Sequence, residues 1–276
     1  LKPSPDLYLF TPQDKILQEH YNAFISMKDI FPVNSVGIVT ARDNLTIHWT
    51  PEEAWRTVVV FSQMDKELAR TGYNLGKDVR DWKIEFAQKD LLDSGPSKNN
   101  VVPILYRPFD IRHTYYTGKS RGFLCYPRET VMLHMLAGQN LAIILPRRVE
   151  QAGSWQHSYI SQNISDHVAV SLKTIDYHFP LYTYLTNQKT KKKGNLSSVV
   201  MLFDNEEKYS IKKTNIGERL LSRLKATYEK SPAPEDILHY IYSALFSNIF
   251  RDRYSDFLKM DFPRVPFCND YKIFKI

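Results

Sequence analysis

VVPILYRPFDIRHTYYTGKSRG (residues 101–122) is the stretch on which the reading of the fold turns. The apolar run VVPILY, the turn at RPFD and the mixed segment IRHTYY describe a half-buried strand pair. Arg107, Arg112, Lys119 and Arg121 are interleaved with Phe109, Tyr115 and Tyr116, and only Asp110 opposes them in charge between residues 106 and 122. Two readings fit this mixture. Arginines can snorkel from a strand pair whose tyrosines fill a core. Alternatively, fixed cations and flat rings together suit a polyanion that offers phosphates and bases.

Working outward, the apolar runs NLAIILP (140–146) and DHVAVS (166–171) alternate with turn-rich segments, and a helix is expected over residues 130–136. Upstream, SVGIVTARDNLTIHWT (35–50) reads as β structure broken by a turn at Arg42-Asp43-Asn44. Thr50-Pro51-Glu52-Glu53 then supplies an N-cap, a proline at the first helical position and two early acids, for a helix running through Phe61 toward Gly72. Downstream, LTNQKTKKKGNLSS (185–198) has four lysines and no acid and is expected to be an exposed loop. SPAPED (231–236) leads into a helix whose apolar face carries Ile237, Tyr240, Ile241, Ala244 and Leu245. A second helix is expected over 251–260, stopping before Pro263. The expected fold is α+β, with mixed, largely antiparallel sheets, flanking helices and a helical C-terminal segment. Within residues 1–276, the expected parts are a strand-rich recognition part (1–185), a basic loop and linker (186–230) and a helical part (231–276).

The composition fits a folded, basic protein. Of 276 residues, 43% are hydrophobic and 13% aromatic, which separates the chain from disordered sequences. Thirty-seven basic against 30 acidic residues give +7, with a pI near 9.2, a bias toward nucleic acid or another anionic surface. Cys125 and Cys268 are too few and too far apart for a multi-cysteine zinc site and suit a reducing, cytoplasmic setting. No apolar run approaches the roughly 20 residues of a membrane helix, so no membrane partner is expected. A start at Leu1, directly into LKPSPDLYLF, suggests a piece of a longer polypeptide.

Catalytic motifs are missing where a nucleic-acid enzyme would need them. Gly118-Lys119-Ser120 resembles the end of a phosphate loop, but His113 stands where that loop needs its first glycine. The chain has no Gly-x-Gly-x-x-Gly, His-Glu-x-x-His or Gly-x-Ser-x-Gly, and no Asn-Pro-Pro-Tyr segment for holding a flipped base. His157, Asn163, Asp166 and His167 form the remaining catalytic candidate, a set that a metal-dependent nuclease could use for ligands and a general base. Their spacing matches no ligand pattern.

Four blocks carry a family resemblance: FPVNSVGIVTARD (31–43), DVRDWKIEFAQKD (78–90), YRPFDIRHTYYTGKSRGF (106–123) and DILHYIYSALFSNIFRDRYSDFLKMDFPRVPF (236–267). In this order they resemble the C-terminal target-recognition region of Type ISP restriction-modification enzymes. Phe86 stands where tryptophan is expected and His113 where tyrosine or asparagine is usual, and residues 189–230 fit no block. The resemblance implies a sequence-specific reader of double-stranded DNA, not itself an enzyme and without a cofactor of its own. It also implies a parent polypeptide with a nuclease, an ATP-driven translocase and an adenine-N6 methyltransferase, using S-adenosylmethionine, ATP and Mg.

On that reading Arg107, Arg112, Lys119 and Arg121 contact phosphates or guanine edges, and Tyr115 and Tyr116 wedge or stack against sugars and bases. Arg42, oriented by Asp43 at the tip of a short strand pair, reaches a phosphate. The family block 106–123 would set position on the backbone. Base readout is assigned to RRVEQAGSWQHSYISQNISDH (147–167), through Arg147, Arg148, Gln151, Gln156, His157 and Asn163. The alternative from a different class is a structural or coupling domain whose basic surface docks another domain of the same polypeptide, the methyltransferase domain among them.

Overall fold

The computed structural model describes residues 14–150, 153–186 and 209–275. The chain begins with α1 (Lys15–Asn22), capped by Asp14, then β1 (Ile25–Ser26), α2 (Met27–Ile30) and β2 (Ser35–Val36). A short α3 (Asp43–Thr46) precedes α4 (Pro51–Gln63), which carries the expected start: Thr50 accepts from the Glu53 amide, and the Glu53 carboxylate reaches back to the Thr50 amide. α5 (Lys66–Gly72) is a separate helix, because Asp65 takes the amides of Glu67 and Leu68 and restarts the turn. α6 (Ile84–Ser94) and a 3-10 turn lead to the decisive stretch, which is a hairpin of β3 (Val101–Arg107) and β4 (Asp110–Tyr115).

α7 (Glu129–Leu136) and β5 (Ala142–Pro146) follow, then β6 (Tyr159–Ser161), β7 (Ile164–Ser165), β8 (Asp176–Pro180) and β9 (Tyr182–Thr186). Beyond the undescribed residues come β10 (Tyr209–Thr214) and α8 (Glu218–Tyr228), then α9 (Pro234–Phe246), α10 (Asn248–Arg253), α11 (Ser255–Met260), β11 (Arg264–Val265) and α12 (Tyr271–Phe274). The fold is α+β. Its sheets have the orders β2-β8-β5-β6, β4-β3-β7, β1-β11 and β10-β9, antiparallel throughout except where β3 meets β7.

Among the described residues two large cores fill the interior, with a small third cluster of Leu105, Ile144 and Ala169. One joins α4 and α6 to the hairpin and α7 through Val58, Phe61, Trp82, Ile104, Tyr115 and Met132. The other joins the C-terminal helices to the opposite face of the four-stranded sheet and to α1, through Ile143, Leu145, Phe179, Ile237, Ile241 and Tyr21. The C-terminal helices therefore share one core with β5 and β8.

Three local expectations need correction. Residues 35–50 do carry β structure, as β2 and the bridges of Ile38 to Asp166, Val39 to Tyr126 and His48 to His113, but the break between them is the helical turn α3, closed by Arg42, Asp43 and Thr46, and the two sides do not pair with each other. Residues 209–230, expected as loop and linker, are β10 and α8; the rest of the basic run, 187–208, lies outside the described residues. DHVAVS is not a strand. Asp166 accepts from the Val168 amide at 2.8 Å and Asp176 from the Val170 amide at 2.7 Å, so those carboxylates take the donors a ladder would need.

Candidate functional site

The hairpin is fixed from below by an ionic cluster. A bulge between Leu105 and Arg107 lets Tyr106 turn its hydroxyl to Asp43 Oδ2, at 2.6 Å. Arg107 Nη1 lies 3.4 Å from Asp166 Oδ1, and Nη2 lies 3.9 Å from Asp43. His167 Nδ1 donates to the Ile38 carbonyl at 3.1 Å and stands 3.4 Å from Asp166, whose hydrogen bond raises the imidazole above its ordinary range. Burial pushes the Asp176 carboxyl up to about 7, although the Val170 amide and Thr174 hydroxyl oppose it. Nearby His178 accepts or donates at Ser165 Oγ, 2.9 Å away, and full burial lowers it to about 3. Arg107 is thus inside the scaffold.

The other residues of the block divide by exposure. Arg112 holds Asp110 with Nε at 3.0 Å and Nη2 at 2.9 Å, and its guanidinium stacks over Trp49 at 3.8 Å and Tyr106 at 4.5 Å. Lys119 pairs with Asp93 at 3.2 Å and Arg121 with Asp81 at 3.0 Å, both on the rim. Tyr115 and Tyr116 are fully buried, which corrects their assignment as wedges. The Tyr115 hydroxyl accepts from the Ser97 amide and Asn100 Nδ2, and the Tyr116 hydroxyl donates to the Pro127 carbonyl. Arg42 is corrected as well. It sits at the start of α3, donating to the carbonyls of Ala41 and Lys77 while lying over buried Trp82, and Asp43 serves Thr40, Tyr106 and Arg107 instead.

The stretch 147–167 does not make one loop surface. β5 and β6 pair Ala142 with Ser161 and Ile144 with Tyr159, so Arg147, Arg148, Gln156 and His157 sit at one end of the pair. Asn163 sits at the other, about 15 Å away for a five-residue strand. Arg147 Nε is held by Asp261 at 2.7 Å, whereas exposed Arg148 has no hydrogen bond or ion pair among the described residues. Arg147, Arg148 and Lys173 line a cleft of ≈ 460 Å³ together with Glu150, Tyr177 and Met260. Lys173 arrives there because β8 pairs with β5, bringing the loop before Asp176 beside Pro146. Sequence spacing alone does not bring Lys173 to Arg148.

Gln156 is exposed, with Nε2 on Ser154 Oγ at 3.1 Å, and its amide donates to His157 Nδ1 at 3.2 Å. Burial and the neighbouring Arg251 and Lys259 lower His157. Asn163 lines a separate cavity of ≈ 540 Å³ with Gln139, Gln162, Tyr182, Lys212 and Glu235. Gln151 lies outside the described residues. The nuclease candidates His157, Asn163, Asp166 and His167 are therefore scattered, with Asp166 bound into the scaffold. Among the described residues no three His, Cys, Asp or Glu side chains are grouped to hold a metal ion.

Two exposed rings flank the hairpin and were not singled out as contacts by sequence reasoning. Phe109, at the hairpin tip, is 91% exposed, and Trp49 is 66% exposed beneath Arg112. The available signal for Phe109 was an aromatic residue between a proline and an aspartate in a two-residue turn.

No helix among the described residues is long and apolar enough to cross a membrane. No curated protein matches the chain in sequence. Solved structures do match in fold. The DrdV–DNA complex superposes with a TM-score of 0.67 at 20% identity, covering 99% of this chain and 26% of that one. The ATP-dependent Type ISP restriction-modification enzyme LlaBIII bound to DNA gives 0.64 at 18% identity, covering 97% and 16%. A nuclease-deletion mutant of the Type ISP enzyme LlaGI with a DNA substrate mimic gives 0.60 at 19% identity, covering 96% and 23%. The chain thus spans about a quarter or less of each of these polypeptides. Residues 29–276 match the model of the Type ISP C-terminal specificity domain, and the chain belongs to that family.

Proposed function

We propose that this chain binds double-stranded DNA and reads its sequence for catalytic domains carried elsewhere in the same polypeptide. The observation that carries this reading is the cleft beside β5, where, among the described residues, the side chains of Arg148 and Lys173 have no hydrogen bond or ion pair and stand next to Arg147. Cations satisfied inside a fold contribute little to a ligand, while free ones neutralise phosphates and release their counterions. The family membership and the DNA in the three similar structures support the same conclusion. In this scheme Arg148 and Lys173 take phosphates at the cleft and Gln156 reads a base edge in the groove, while Arg112, Lys119 and Arg121, held by Asp110, Asp93 and Asp81, add only secondary contacts to the backbone from the hairpin side.

The parent is proposed to be an adenine-N6 methyltransferase joined to an ATP-dependent translocase and an endonuclease, using S-adenosylmethionine, ATP and Mg. This chain supplies target choice and no reaction step. Docking to the methyltransferase domain is compatible with DNA binding, and exposed Ile249 on α10 with half-exposed Phe246 on α9 favours such a contact. Enrichment of a random-sequence duplex library on the immobilised chain tests the reading. One recurring motif is expected in the bound pool, shifted at one position by Gln156→Ala; a bound pool as random as the input contradicts sequence reading.

A further inference from the structure

We infer that the hairpin tip is a wedge, with Phe109 entering an unstacked base step of the bound duplex; this rests on the DNA-binding reading above. The tip is the two residues Pro108 and Phe109 between Arg107 and Asp110. Proline fixes the first φ near −65°, and Phe109 has φ 62°, the sign pattern of a type II turn, whose second position ordinarily holds glycine. A bulky residue in the left-handed region is strained, and this one is also 91% exposed. Strain and exposure at one residue, without a core to fill, mark a residue held ready for a partner.

The surroundings select the partner. Among the described residues Phe109 makes one ring contact, edge-on to Tyr159 at 5.7 Å, which orients the phenyl without covering it. The strand base is anchored by Arg107 to Asp166 and by Tyr106 to Asp43, so the tip does not give way under load. A single convex ring on a stiff hairpin suits insertion between stacked bases, whereas docking to a protein face calls for a broad apolar area. On β4, the strand that follows the tip, the Arg112 guanidinium lies 3.8 Å over exposed Trp49 while holding Asp110, so a cation and a second flat ring stand beside the hairpin. An apolar wedge of this kind unstacks a step and bends the duplex.

The test uses the chain itself and two short duplexes of mixed sequence, one intact and one with a single abasic site, where stacking is already lost. Wild type is expected to bind the abasic duplex at least about 5-fold more tightly, since part of the unstacking cost is removed. Phe109→Ala and Phe109→Gly should bring that ratio close to one, and Phe109→Trp should keep it. Because the ring is exposed, all three variants should keep the fold, checked by circular dichroism. Equal affinity of wild type for both duplexes, or an unchanged ratio in Phe109→Ala and Phe109→Gly, overturns the wedge and leaves the tip to a protein contact. Failure of wild type to bind either duplex rejects the DNA-binding reading and the wedge with it.

Discussion

Arg107 and Arg112 lie on one hairpin and do different work. Arg107 compensates a carboxylate whose side chain is 2% exposed, and removing one partner of a buried pair leaves the other charge unsolvated. Arg107→Ala is expected to cost about 3 kcal/mol in a urea melt, whereas Lys119→Ala, at a rim ion pair, should stay within about 0.5 kcal/mol. A pH series isolates Asp176. Burial raises its folded carboxyl to about 7, above its ordinary value, so the folded state binds the extra proton and stability is lost as pH rises toward 7. His178 runs the other way, because its lowered value destabilises the fold as pH falls. Comparing wild type with Asp176→Asn cancels His178. The stability of wild type relative to the variant should therefore fall between about pH 4 and pH 7; a constant difference contradicts the raised carboxyl.

At the scale of elements, the legible parts of the sequence were those whose own residues specify them. α4 was legible from Thr50-Pro51-Glu52-Glu53, α9 from its apolar face, and the hairpin from its alternation. β10 was not, since it depends on β9, distant in sequence; α3 is a single turn, too short for a periodic signal, and α8 lies in the stretch expected as linker despite Leu220, Leu224 and Tyr228 on one face. The same distinction governs the site. Tyr115 and Tyr116 look identical in sequence whether they face DNA or the core, and only packing against α4 and α6 decides it. Lys173 joins Arg148 through β8–β5 pairing, which spacing does not express. Gly37 shows how closely elements meet beside the ionic cluster: an added Cβ would stand 2.5 Å from the Asp166 carbonyl oxygen, and backbone cannot step aside. Gly37→Ala should separate residues 37–38 from 165–167, costing about 2–3 kcal/mol as an overpacking change and lowering amide protection at Ile38 and His167. Wild-type stability in that variant would contradict the close approach.

For the whole molecule, two cores meet at the four-stranded sheet, and the cleft of Arg148 and Lys173 opens at one end of β5. The net charge of +7 gives long-range attraction to a polyanion, but most cations of the hairpin block already have internal partners. Binding should therefore depend on the few that do not. Anisotropy of a labelled duplex, measured over a series of KCl concentrations, gives the slope of log affinity against log salt. The wild-type affinity should fall linearly, and Arg148→Ala with Lys173→Ala should flatten that slope by about two while leaving the Tm unchanged. A duplex affinity independent of salt, or a double variant with the wild-type slope, would contradict a DNA interface at this cleft.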